Sequence, residues 1–116
     1  MKNDTREAQQ GKRRVLFTEL EVLLYAYDLA DINFGSNPNE YAQEVRAILA
    51  RLNEQSSKKE IKHIVYDIFV AYFSALCIPA KNHPIYTELS EEIWVLWQGY
   101  IEKGIKGPSL YDFMLQ

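Results

Sequence analysis

The chain has a single cysteine, Cys77, so no intrachain disulfide can form, and a reducing compartment is expected. Long apolar runs are missing too. The longest, Ile64 to Ala80, is broken by Asp67 and Ser74 and falls short of the roughly 20 residues of a membrane span. After the N-terminal charges no apolar stretch begins until Val15, where Thr18, Glu19 and Glu21 interrupt it. No signal peptide is read, and a cytoplasmic protein without membrane association is expected. No Val/Ile/Thr run alternates with period two, which argues against a sheet. No glycine-rich loop links a strand to a helix, since Gly99, Gly104 and Gly107 fall at or beyond a helix end, and a nucleotide enzyme is disfavoured.

What is present suits one folded core. Of 116 residues, 47% are hydrophobic and 25% charged, a globular balance far from that of disordered chains. The net charge of −3 hides an asymmetry. Lys2, Arg6, Lys12, Arg13 and Arg14 stand against only Asp4 and Glu7; of 13 basic and 16 acidic residues, eight and fourteen remain beyond Arg14, a net of −6. Residues 1–13 read as a flexible basic tail and 14–116 as a single helical domain. The acidic domain disfavours nucleic-acid binding, which needs clustered Lys and Arg, and leaves open a basic protein partner.

The pattern predicts an all-α, single-domain bundle of four main helices, with a short fifth helix over Ser109 to Gln116. Leu16, Leu20, Leu23, Leu24 and Tyr27 recur at helical spacing and set helix one over about Arg14 to Tyr27. A turn-rich segment, Asp28 to Asn37, follows. Asn37, Pro38 and Glu40 read as an N-cap, a first helical position and a capping box for helix two. Ser57 and Glu60 give a second capping box for helix three. Its apolar residues, Ile61 to Leu76, cover more than half the circumference, which predicts a central helix ended by Pro79. Pro84 opens helix four, which runs to about Lys103 with Ile85, Leu89, Ile93, Leu96, Trp97 and Tyr100 on its core face. Trp94 and Ile101 give that helix more apolar arc than one neighbour covers.

No constellation carries chemistry on its own. His63, Asp67 and Ser74 share a polar stripe, but at a rise of ~1.5 Å per residue Ser74 lies roughly 16 Å from His63, out of reach of a base. No catalytic residue is assigned. Asp31, Asn33, Gly35, Asn37 and Asn39 alternate as in a calcium loop, yet Ser36 and Ala42 occupy the places of its glycine and its bidentate glutamate. Cys77, His63 and His83 lack a fourth zinc ligand, and Cys77 reads as a small buried hydrophobe. No metal and no cofactor is expected. Eight Tyr, five Phe and two Trp supply both core and interface anchors.

The stretch from Leu24 to Leu52 resembles a small uncharacterised bacterial helical family, in which a helix ends in aromatic-Asp-Pro and Asp-Glu-Tyr-Asp opens the next. Tyr27, Asp28, Glu40 and Tyr41 match; Leu29 and Ala42 stand where that pattern has Pro and the second Asp. Some of these proteins resemble immunity proteins, small acidic binders of bacterial toxins. The resemblance implies a protein-binding module that occludes a basic partner through an acidic surface. Candidate partner-binding residues are Tyr27, Asp28, Asp31, Glu40, Tyr41 and Glu44. The alternative is a homodimeric structural or regulatory subunit joined through Trp94, Trp97, Ile101 and Phe113.

Overall fold

The computed structural model describes residues 2–31 and 40–102, with side chains from residue 10 onward. Within them the fold is all-α: α1 (Lys2–Tyr27), α2 (Ala42–Arg51), α3 (Lys58–Phe73) and α4 (Ile85–Glu102), with a short 3₁₀ turn at Ala75–Cys77 and no strand. The fifth helix expected over 109–116 lies outside the described residues.

Helix α1 is the longest element, at 26 residues, and starts at Lys2 rather than at Arg14. The segment read as a tail is therefore helical in backbone. Its Arg, Glu, Ala, Gln and Lys residues are strong helix formers, and no proline interrupts them. The helix ends at Asp28, which adopts a left-handed φ of 50° while its N–H donates to Leu24 O at 2.8 Å. Asp tolerates this region better than most residues with a Cβ.

The two capping boxes had different fates. Ser57 caps α3 as expected: Glu60 N–H donates to Ser57 Oγ at 3.1 Å, and Ser57 N–H donates to Glu60 Oε1 at 3.3 Å. Helix α2 instead begins at Ala42, with Tyr41 at the N-cap and no side-chain cap. Tyr41 is drawn wholly into the core, and that packing decides where the chain can turn helical. For α4, Pro84 O accepts from Thr87 and Glu88 N–H, both at 3.1 Å, and His83 Nδ1 accepts from Ile85 N–H at 3.0 Å.

Helix α3 stops before Pro79. Ser74, with φ 72° and ψ 155°, breaks it after Phe73. Phe73 closes an aromatic row with Phe69 and Tyr41, at centroid distances of 5.6 and 6.1 Å. Among the described residues no neighbour covers the next turn: Leu76 is 97% exposed. Cys77 beside it is exposed rather than buried.

Helix α3 packs on α2 and α4, and α1 packs on the same two, so the four helices close into a ring with no central member. The shared core contains Leu20 and Leu24 from α1, Ile48 and Leu49 from α2, Ile61 and Phe69 from α3, and Tyr86, Ile93 and Trp97 from α4. Burial of such side chains contributes roughly 1.5–3 kcal/mol each. No described helix is long and apolar enough to cross a membrane.

Candidate functional site

The six partner-binding candidates do not form one surface. Tyr41 is fully buried; its hydroxyl donates to Asp28 Oδ1 at 2.6 Å and accepts from Ala30 N–H at 3.3 Å. It ties the end of α1 to the start of α2 and is no surface anchor. Glu44 is also buried, so its carboxyl is pushed up from the usual range, and its Oε1 has no hydrogen-bond partner among the described residues. Helical periodicity put Glu44 beside the exposed face, but with Tyr41 turned inward the next turn of α2 follows it into the interior. Asp28 and Glu40 are half-buried. Asp31 is exposed at a φ of 55°.

The candidate dimer residues also scatter. Trp97 is fully buried, stacks on Tyr100 at 5.5 Å, and donates its indole N–H to Asn53 O at 2.8 Å. It is a core residue locking α4 to the α2–α3 connection. Trp94 is half-buried beneath the Lys58 ammonium, 4.9 Å from the ring centroid. Ile101 is half-buried, and Phe113 lies outside the described residues. His63 and Asp67 are exposed on α3. Among the described residues no group of three or more His, Cys, Asp or Glu could hold a metal; residues 33–39 of the calcium-like run lie outside them.

Tyr27 leads to a different place. Its hydroxyl donates to Glu92 on α4. Burial, this hydrogen bond and the charges of Glu92, Glu88 and Glu91, in that order, push it up to about 12. This corner is the head of an open groove between α1 and α4. A cavity of about 900 Å³ has Val22, Leu23, Ala26, Val95 and Leu96 along its floor and Glu19, Glu88, Glu91 and Glu92 on its rim. A second cavity of about 450 Å³ shares Glu19, Val95 and Leu96 with the first and continues past Val15 to Lys12, Gly11, Gly99 and Tyr100. The end of α1 lies beside the start of α4 and the reverse, so the two walls run antiparallel.

Three features mark this face. Of the five exposed large hydrophobics among the described residues, Val15 (55%), Val22 (57%) and Val95 (61%) all line it. The acidic residues concentrate at one end, and Lys12 stands at the other. Gly11 and Gly99 sit inside helices, where each weakens the helix by roughly 0.5–1 kcal/mol relative to Ala. A Cβ at either would meet nothing within 4 Å, so packing among the described residues gives no reason for them.

The groove was legible only in part. Helix four's surplus apolar surface lies on its Val95 side, whereas the Trp94 side is partly buried beneath Lys58. Val15, Val22 and Ala26, spaced seven and four apart, form a stripe beside the core stripe of Leu16, Leu20 and Leu24. Glu88, Glu91 and Glu92 share one face by the same rule. No family model, curated protein or solved structure matches the chain.

Proposed function

We propose that this chain is a protein-binding module, of the immunity or antitoxin kind, that occludes a basic partner through an acidic surface, and that this surface is the α1–α4 groove. The observation that carries the reading is the pairing of an exposed valine floor with a rim of Glu19, Glu88, Glu91 and Glu92. Apolar floor supplies burial; flanking carboxylates supply long-range attraction and select against acidic partners. Asp28 and Tyr41 serve the fold instead, holding the α1–α2 corner by their hydrogen bond. A symmetric pairing through this face is disfavoured, because each copy would bring the same four carboxylates into the contact.

Affinity purification from the native cells tests this. A stoichiometric basic protein should be retained, released by moderate salt, and lost when Glu91 and Glu92 are both changed to Lys; Asp31→Lys should leave it bound. Retention that ignores reversal of the groove charges would remove the groove from the proposal.

A further inference from the structure

We infer that the segment filling the α1–α4 groove is an amphipathic α-helix of the partner, carrying an apolar stripe and flanking Lys or Arg residues. This rests on the groove being the binding surface. Both walls are helices, so they present side-chain ridges and no row of free backbone N–H and C=O groups. An extended segment would gain no main-chain hydrogen bonds there, whereas a helix satisfies its own backbone and offers only side chains.

The dimensions agree. From Gly11 to Tyr27 the α1 wall is roughly 24 Å long at ~1.5 Å per residue, which a helix of roughly 16 residues spans. Packed helices approach to roughly 8–10 Å between axes, and small residues at the contact allow the closer end of that range. The groove lining includes the small residues Gly11, Thr18 and Ala26 on α1 and Gly99 on α4. Gly11 and Gly99 thereby gain the packing reason that the described residues do not supply.

Charge selects the occupant and its direction. The groove residues include Glu19, Glu88, Glu91 and Glu92 against Lys12, so a second copy of this chain would repel and a cationic helix would be drawn in. Its cationic residues belong at the Tyr27–Glu92 end, and its less charged turns lie over Gly99 and Tyr100.

The test titrates the full chain with three amidated 16-residue peptides of Leu and Lys: one with Leu at helical spacing, one with the same composition scrambled, and one with a central proline. Binding is read by calorimetry, and helix gain by circular dichroism. The periodic peptide should bind at least tenfold more tightly than either control and gain helicity. Val95→Asp and Gly99→Leu should weaken it at least tenfold while leaving the melting temperature unchanged or raised. Equal binding of the proline peptide, with both groove variants still weakening it, would overturn the helix while leaving the groove as the binding surface. Binding untouched by either variant would overturn both. If no peptide binds and Val95→Asp lowers the melting temperature, the chain's own residues cover the groove and the inference fails. Concentration-dependent dimers abolished by Val95→Asp would assign the groove to a second copy and overturn it equally.

Discussion

Replacing Tyr41 by Phe isolates a single hydroxyl. The ring stays, with its contacts to Phe69 at 5.7 Å and Phe73 at 6.1 Å, so no cavity opens. What disappears is the 2.6 Å donation to the Asp28 carboxylate and the 3.3 Å acceptance from Ala30 N–H. A hydrogen bond to a charged partner contributes about 1.5–3 kcal/mol. Asp28 is only half-buried and regains some water, which pulls its share to the low end, and the longer Ala30 contact adds a fraction more. The expected loss is about 2 kcal/mol, or a melting temperature lower by about 10 °C for a domain of this size. Urea unfolding followed by circular dichroism measures it, and a double-mutant cycle assigns it. Asp28→Gly suits the φ of 50° and removes the acceptor, so the two substitutions should couple by at least about 1 kcal/mol. A Tyr41→Phe variant within about 0.5 kcal/mol of the parent, or an additive cycle, would refute the role given to this corner.

Other substitutions probe the remaining determinants. Trp97→Phe should cost about 1–3 kcal/mol in urea unfolding by leaving Asn53 O without its indole donor. Glu44→Gln should stabilise the protein at neutral pH, because burial makes the ionised carboxylate costly in the folded state. Burial raises its folded pKa above the unfolded value, so the favourable contribution is complete below the unfolded pKa and is lost as pH rises through the folded one. The advantage of Gln should therefore vanish in acid, and melting curves against pH would contradict this if it persisted there. Tyrosinate absorbance should show Tyr27 and Tyr86 titrating near 12 in the native protein, each absent from its Phe variant. Ser74→Gly should stabilise by about 1 kcal/mol, since φ 72° with ψ 155° is a conformation open almost only to glycine.

What the sequence made legible was local. Ser57 and Glu60 stand three residues apart and need nothing distant to cap α3, and Pro84 opens α4 for the same reason. The leucine stripe of α1 and the core face of α4 follow from periodicity alone. The errors share a cause. Tyr41 and Trp97 are amphipathic aromatics, equally suited to an interface or a core; periodicity already puts Trp97 on the core face of α4, and the ring of four helices buries it too fully for a dimer seam and turns Tyr41 inward. The end of α3 is a tertiary decision as well: the apolar period continues to Leu76, but none of the described residues lies there to cover it. The groove escaped because a valine at 15 or 22 looks like a broad core face until α4 is seen to leave it open.

The acidic rim is hard to explain as a contribution to stability. Glu88, Glu91 and Glu92 lie three and four residues apart on one helix face, where like charges cost about 0.2–0.5 kcal/mol per pair. The helix dipole offsets part of this only for Glu88, in the first turn. Tyr27 donates to Glu92 but removes no charge; its own hydroxyl is pushed up to about 12 first by burial, then by this hydrogen bond, and last by the charges of Glu92, Glu88 and Glu91. Neutralising Glu91 should therefore leave the isolated protein unchanged or slightly more stable, while weakening a cationic partner. Both effects should fade together as salt rises, because exposed charges are screened over about 10 Å at 0.1 M. A stabilising role predicts the opposite sign for the first effect, so melting Glu91→Gln at low and high salt separates a rim built for folding from one built for binding.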